Sequence, residues 1–420
     1  MDAGEHKVFG VEGKFDSPLT IAVPTIADAL KEQTQGKAKV VSVSMKDRAA
    51  IPGGGRSPDL TAWFEGKANG FTMSDFYASD VPDWIKNWNA ANRFEDRLQP
   101  WTPESPNTLQ EVLGDDEKPG EGATFGWGAT FPHDPSTSED PAYVFHLTPN
   151  STRYLLDFAR AAVDEYALGR DDVPDLLAVS ISAVDYAGHS YGPDSWEYLD
   201  TLIQADAELG KFISELNQKV DLRVLITADH GVGAYPDVTG KGGRIFAPEF
   251  AALLNAKLKK KINIKDPIEA YSSPYFYLRA MPDKDRQRVI DESIEILNAM
   301  PSIRAAYDVS KLENAKEIDD DALAQSVQKS LFKGRGGEII VMPDEHYVID
   351  EVAPADCGTS HGSPWSYDQF VPVAVFGDGI PHLESNDPID MIAVTPTIAA
   401  LLGIQAPAQA TTTALIQTTP

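Results

Sequence analysis

Short apolar runs alternate along the chain with segments whose apolar residues recur every three or four positions. The runs are typical of buried strands in a parallel sheet: AKVVSVSM (38–45), DLLAVSIS (175–182), LRVLITA (222–228), EIIVM (338–342) and FVPVAVFG (370–377). The helical segments are IADALKEQT (26–34), TRYLLDFARAAVDEYAL (152–168) and WEYLDTLIQADAELGKFISELNQ (196–218). This alternation predicts an α/β fold with a doubly wound, mostly parallel sheet.

Two stretches depart from the alternation. Residues 64–140 are rich in Pro, Trp, Gly and Asp, with one predicted helix in VPDWIKNWNAAN. Residues 241–335 carry a small pattern of further strands and helices. We therefore expect one domain over residues 1–420 with insertions at 64–140 and 241–335, the second forming a small α+β cap.

Polar side chains follow several of the predicted strands. Asp185 and His189 follow the run at 175–182, Asp229 and His230 follow the run at 222–228, and His361 lies in a loop rich in Gly, Ser and Pro before the last strand. The carboxyl ends of the strands in an open α/β sheet form the crevice in which ligands bind. We expect these five side chains to meet there.

Imidazole and carboxylate groups together are suitable ligands for zinc. Asp185, His189 and His361 could supply three protein ligands to one ion and leave a position open, while Asp229 and His230 would be only part of the ligand set of a second ion. A lone Asp or His at a strand end is more often a cap or a satisfied polar residue. The three segments together favour the metal site.

Composition and charge restrict the partners. The 420 residues include 64 acidic and 36 basic side chains, which gives a formal net charge of −28. This field repels nucleic acids and anionic membranes, so we expect neither as a partner. The single cysteine, Cys357, excludes an intrachain disulfide and a thiolate cluster. The opening MDAGEHKVFG has no signal-peptide pattern, and no apolar stretch has the length of a membrane span.

Longer motifs carry a resemblance to a known family. SAVDYAGHSYGP, TADHGV and GTSHGSPWSYDQFVPVAVFG resemble the three metal-ligand segments of the alkaline phosphatase superfamily, in the branch of type I phosphodiesterases and nucleotide pyrophosphatases. VVSVSMKDRAAI, DVPDLLAVSIS and TPTIAALLGI are similar to segments of the phosphate-irrepressible bacterial alkaline phosphatases. The resemblance implies a periplasmic or secreted hydrolase of small phosphate monoesters, which uses two Zn²⁺ ions and a phospho-enzyme.

The resemblance also implies individual roles. The metal ligands would be Asp185, His189 and His361 for the zinc that faces the leaving group, and Asp229 and His230 for the zinc that activates the nucleophile. Lys46 and Arg48 would contact the phosphoryl oxygens, and an ammonium with a planar guanidinium suits a dianionic phosphoryl group. Without the resemblance, KDR after a strand would be interpreted as a solvated turn.

The nucleophile of the family is a Thr or Ser at a helix start. The resemblance places it, with one further Asp ligand, on a strand and helix ahead of SPLTIAVPTIADALKEQT, so we expect this chain to lack both and to be inactive by itself. Thr25 and Thr397 lie beside proline at predicted helix starts. We expect both to be helix caps rather than nucleophiles.

Two other functions stay open. The first is hydrolysis of a diester or nucleotide, which Lys46 and Arg48 disfavour because a diester carries less negative charge to neutralise. The second is a metal-binding or phosphate-binding protein without catalysis, which the expected lack of a nucleophile favours.

Overall fold

The computed structural model describes residues 6–121, 126–316, 318, 321–351 and 358–416, so Cys357 lies outside the described residues. The strands are β1 (Val40–Ser44), β2 (Leu60–Glu65), β3 (Gly70–Thr72), β4 (Leu176–Ser180), β5 (Arg223–Ile226), β6 (Gly243–Phe246), β7 (Ile268–Ser272), β8 (Tyr275–Leu278), β9 (Ile303–Asp308), β10 (Ile339–Pro343), β11 (Tyr347–Asp350) and β12 (Ala374–Gly377).

Helices separate most of these strands. They are α1 (Ile26–Gln33), α2 (Asp47–Gly54), α3 (Asp83–Ala91), α4 (Pro106–Leu113), α5 (Pro141–Leu147), α6 (Pro149–Glu165), α7 (Ala183–Tyr191), α8 (Trp196–Asn217), α9 (Pro236–Thr239), α10 (Ala247–Ile262), α11 (Asp283–Asn298), α12 (Val309–Asn314), α13 (Ala322–Ser330), α14 (Ser366–Gln369) and α15 (Val394–Leu402). The predicted α/β class is confirmed. Among the helices of the described ranges, none is long and apolar enough to cross a membrane.

The sheet that carries the site has the strand order β3-β2-β1-β4. β1 is parallel to both β2 and β4, and β3 is antiparallel to β2. Every residue of β1 is buried, as its apolar sequence predicts. Helices α2 and α6 pack on this sheet, and the core beneath them includes Val41, Val43, Leu60, Phe71, Leu155 and Phe158.

A second sheet has the order β7-β8-β10-β9 and is antiparallel throughout. Helices α10 and α11 cover it, with Phe250, Leu254, Phe276, Val289 and Ile339 in its core. Most of these elements fall within residues 241–335, where a small α+β cap is expected. The domain boundaries drawn from the sequence stay a prediction.

The sequence predicted the wrong strand direction in three places. The runs at 338–342, 222–228 and 370–377 were expected as parallel strands, but β10 is antiparallel to its neighbours and β5 is antiparallel to β12. β10 is continuously apolar because both of its faces are buried: Ile339 and Val341 lie in one core, Ile340 and Met342 in another. An apolar run therefore reports burial on two faces, not strand direction.

Helix starts test the two threonine predictions. Thr25 caps α1: its Oγ1 accepts from the backbone N of Asp28 at 3.3 Å, and Asp28 Oδ2 accepts from Thr25 N at 2.8 Å. The capping prediction for Thr397 is wrong, since α15 begins earlier, with Ala393 at its N-cap. A proline in the first turn is compatible with a helix, so Thr397 lies inside α15, where its hydroxyl donates to Ala393 O at 2.6 Å.

Candidate active site

Two neighbouring parallel strands bring Lys46 and Asp185 together. Ser44 at the end of β1 lies opposite Ser180 at the end of β4. Lys46 follows β1 as the N-cap of α2, and Asp185 lies in the first turn of α7, just after β4. The Lys46 ammonium forms an ion pair with Asp185 Oδ2. The expected phosphoryl contact and the expected metal ligand are therefore direct neighbours.

The other oxygen of Asp185 faces three imidazoles. Oδ1 lies 3.3 Å from Nε2 of His189, 3.7 Å from Nε2 of His361 and 3.8 Å from Nε2 of His230. His189 is on the same face of α7 as Asp185 because the two are four residues apart. The other two histidines come from the loops after β5 and before α14. Four of the five expected metal ligands thus meet at one carboxylate oxygen.

Backbone carbonyls fix two of the rings. His189 Nδ1 donates to Thr359 O at 3.0 Å, and His230 Nδ1 donates to Gly231 O at 3.0 Å. Since a carbonyl only accepts, each of these two rings, when neutral, carries its proton on Nδ1 and presents the Nε2 lone pair to Asp185. The Nε2 lone pairs and the Asp185 carboxylate are then all hydrogen-bond acceptors, and no proton lies between them. A cation between them would satisfy all of them, so this donor set fits a metal ion.

Asp185, His189 and His361 form the tightest group. Their ligand atoms all lie within 4.8 Å of one another. The ring of His230 stacks on that of His361 with centroids 3.3 Å apart. Asp229 Oδ2 lies 3.5 Å from His230 Nε2, but the Asp229 side chain is 89 % exposed. Asp229 is therefore at the solvent-facing rim of the site, whereas His230 is buried about as deeply as the first ligand set.

The charges around Asp185 set its ionisation. Burial opposes a charged carboxylate, but His189, when its ring is protonated on both nitrogens and donates to Asp185, and the charge of Lys46 outweigh burial and hold the pKa of Asp185 far below its usual range. Burial, with the nearby His230 and His189, lowers the pKa of His361 to about 4. Asp185 is therefore an anion and His361 a neutral ligand at neutral pH.

Arg48 is placed differently from Lys46. Its side chain is exposed, and it forms no hydrogen bond or ion pair with any residue in the part of the chain that the structure describes. Its charge nevertheless acts on two neighbours. Burial and the charges of Lys46 and Arg48 lower the pKa of His146, whereas burial raises the pKa of Tyr186 to about 12 against the opposing charge of Arg48. A free guanidinium at this position is available to a phosphoryl group.

Sequence reasoning missed the residues behind these side chains. The Lys46 ammonium lies 4.3 Å from the ring centroid of Tyr186, and that ring stacks on His146 with centroids 4.8 Å apart. Buried Asp368 holds two of the loops together: its backbone O accepts from Gly231 N at 2.7 Å, and its Oδ2 accepts from Ser363 N at 2.8 Å. Tyr186 lies inside the SAVDYAGHSYGP motif, and its position next to Asp185 was the available signal.

Known proteins resemble nearly the whole chain. Alkaline phosphatase PafA of Elizabethkingia meningoseptica is 29% identical over 426 residues, covering 94% of this chain and 74% of the relative. Alkaline phosphatase PhoV of Synechococcus elongatus is 28% identical over 416 residues, covering 93% and 72%. The crystal structure of wild-type PafA superposes with a TM-score of 0.85 at 28% identity, covering 96% of this chain and 79% of that one.

The fold of the chain is that of the PafA structure. Because its relatives are named as alkaline phosphatases, the chain is a hydrolase. Residues 23–364 match the family described as Type I phosphodiesterase / nucleotide pyrophosphatase. This match spans far more than half of the 420 residues, and the chain therefore belongs to the type I phosphodiesterase / nucleotide pyrophosphatase family.

Proposed function

We propose that the protein acts on phosphate monoesters with the help of zinc. One observation carries the proposal: the carboxylate of Asp185 faces three imidazoles through one oxygen and the ammonium of Lys46 through the other. A metal site and a phosphoryl-binding cation therefore share one residue. The names of the alkaline phosphatase relatives support the same reaction class.

Zinc would be held by the groups around Asp185. Asp185, His189 and His361 are the proposed ligands of one ion, and Asp229 and His230 are proposed ligands of a second. Bound zinc supplies Lewis-acid stabilisation of charge on phosphoryl and leaving-group oxygens. Three of these side chains need no large movement, because their ligand atoms already lie within 4.8 Å of one another.

Lys46 and Arg48 are the proposed contacts of the non-bridging oxygens. Lys46 is anchored and largely buried, with 11 % of its side chain exposed, and it offers a point charge. Arg48 is exposed and offers a planar pair of donors. A dianionic monoester matches two cations better than a singly charged diester does. The two residues also supply local positive charge against the net charge of −28.

Other parts of the proposal rest on the likeness alone. We assign no nucleophile among the described residues, so the phospho-enzyme route and the expected inactivity of these 420 residues by themselves both stay proposals. A periplasmic or secreted location is proposed for the same reason, since the relatives are alkaline phosphatases.

Calorimetry with inorganic phosphate, the product of any phosphatase, tests the proposal. The zinc-loaded chain should bind phosphate, and both EDTA treatment and the variant Asp185→Asn should abolish binding. The exposed Asp221, ahead of β5 at the opposite end of the strand, provides the control Asp221→Asn, which should bind normally. Phosphate binding that is unaffected by EDTA, or no binding by the zinc-loaded chain, would contradict the proposal.

A further inference from the structure

Lys46 has two attractive neighbours rather than one. Its ammonium pairs with Asp185 Oδ2 and also lies 4.3 Å from the centroid of the Tyr186 ring. A cation over an aromatic face is attracted by the ring quadrupole, and the attraction strengthens where water is excluded. Tyr186 is therefore placed to act on Lys46.

The Tyr186 ring is held in place by other aromatic rings. It stacks on His146 with centroids 4.8 Å apart and an interplanar angle of 21°, and it meets the edge of Tyr143 at 5.5 Å. His146 in turn meets Phe64 edge-on at 5.3 Å. Contacts on several sides leave the tyrosine ring little freedom to turn away from Lys46.

His146 supports this arrangement without repelling the cation. Burial, together with the charges of Lys46 and Arg48, lowers the pKa of His146 to about 3. The imidazole stacked on Tyr186 is consequently neutral at physiological pH. A protonated ring in the same place would compete with Lys46 for the aromatic electron density.

Asp185 holds Lys46 more weakly when it also binds a metal ion. A divalent cation drawn to Oδ1 withdraws charge from the carboxylate and repels the ammonium at Oδ2. We propose that Tyr186 is a positioning residue, whose ring keeps Lys46 directed into the site while Asp185 binds metal. The inference rests on the proposed function, and it gives Tyr186 the role of holding Lys46 in position.

Phosphate affinity of the zinc-loaded chain is the first test. Tyr186→Phe keeps the ring face and should bind inorganic phosphate as the unchanged chain does. Tyr186→Leu keeps apolar volume but removes the ring, and should weaken binding by about twofold to thirtyfold. In a Lys46→Ala background, Tyr186→Leu should add nothing. A half-buried tyrosine on the far side of the core, Tyr166, gives the matched control Tyr166→Leu.

Three results would overturn the inference: equal losses for Tyr186→Phe and Tyr186→Leu, no loss for Tyr186→Leu, or an undiminished loss in the Lys46→Ala background. Each would mean that Tyr186 only fills space or acts on something other than Lys46.

A second measurement needs neither phosphate binding nor a change at Tyr186. Lysines carrying ¹³C-methyl groups give one resonance each, and Lys46→Arg identifies that of Lys46. A ring above the ammonium shifts this resonance upfield, and the shift should persist when zinc is added. If zinc moves it to the position of an exposed lysine, the inference is wrong. A chain that binds zinc and keeps the shift, yet binds no phosphate, refutes the proposed function and leaves the positioning role of Tyr186 intact.

Discussion

Lys46 and Asp185, which follow two neighbouring parallel strands, form an ion pair at the carboxyl ends of those strands. The pair joins a residue expected to hold phosphate to a residue expected to hold metal. Changes at Asp185 should therefore affect both kinds of binding, whereas changes at Lys46 should affect phosphate alone.

Zinc retention should differ between the two expected ligand sets. After dialysis we expect about one tightly held zinc per chain, because Asp185, His189 and His361 form a closed group while Asp229 is 89 % exposed. Asp185→Asn should lose this zinc, and Asp229→Asn should keep it. Metal analysis of the dialysed proteins measures both, and two retained ions per chain would show that a further ligand exists.

Lys46→Ala and Arg48→Ala should discriminate between esters. Each removes charge-assisted hydrogen bonds worth about 1.5–3 kcal/mol, or roughly tenfold or more in affinity. Competition against inorganic phosphate measures the effect on phenyl phosphate, a monoester, and on diphenyl phosphate, a diester. The monoester should lose more, since it places more negative charge between the two cations.

A small and equal loss of affinity for both esters would instead indicate that Lys46 and Arg48 belong to a solvated turn. The monoester assignment would then fall, while the proposed metal site around Asp185 would be unaffected.

Much of the site could be predicted from short stretches of sequence. Asp185 and His189 are four residues apart, so a helix after β4 places them on one face whatever the rest of the chain does. Lys46 likewise follows directly from β1. These positions depend on one strand and one turn, and such short-range relations can be inferred from sequence.

Tyr186 and Asp368 show where that reasoning stops. The role of Tyr186 depends on stacking with His146, which is 40 residues away on α5. Asp368 is recognised only through its contacts with Gly231 and Ser363. The antiparallel direction of β5 beside β12 likewise depends on how the chain runs between two strands that are distant in sequence. Long-range packing decides these features, and residue types alone do not encode it.

Gly231→Ala should disrupt the loop that carries Asp229 and His230. A Cβ at residue 231 would lie 2.1 Å from the backbone O of Tyr367, so one of the two backbones must move. We expect a loss of about 1–3 kcal/mol in the free energy of unfolding, together with weaker zinc binding. Urea unfolding and metal analysis measure the two effects.

Gly210→Ala is the matched control, because a Cβ there meets nothing within 4 Å on helix α8. It should be neutral or stabilise the chain by about 0.5–1 kcal/mol. Equal stability of the two variants would mean that the 231 loop adapts without cost.

A buried carboxyl and imidazole outside the site should make stability depend on pH. Glu197 and His133 are both almost fully buried, with Glu197 Oε1 and His133 Nε2 2.7 Å apart. Burial raises the pKa of Glu197 from 4.5 to about 9 and lowers that of His133 from 6.5 to about 4. At neutral pH the protonated Glu197 therefore donates to a neutral His133.

The sign of the effect follows from proton counts. Between pH 4.5 and 9 the folded chain keeps a proton on Glu197 that the unfolded chain has released, so this contribution to stability is lost as the pH rises toward 9. Below pH 6.5 the unfolded chain binds a proton on His133 that the folded chain does not bind. This opposes the effect of Glu197, so the two contributions to the pH dependence cancel there. Stability should thus fall mainly between pH 6.5 and 9, by about 1.4 kcal/mol per pH unit for one proton.

Glu197→Gln should remove this titrating proton, because the amide can donate to His133 at every pH. The free energy of unfolding should then fall less steeply as the pH rises. Burial also raises the pKa of the nearby Glu121, to about 8, so its contribution fades above that pH. The interval between pH 8 and 9 therefore isolates Glu197. Urea unfolding across pH 6–9 should show a shallower slope for Glu197→Gln than for the exposed control Glu165→Gln. Equal slopes between pH 8 and 9 would mean that Glu197 is already ionised in the folded chain.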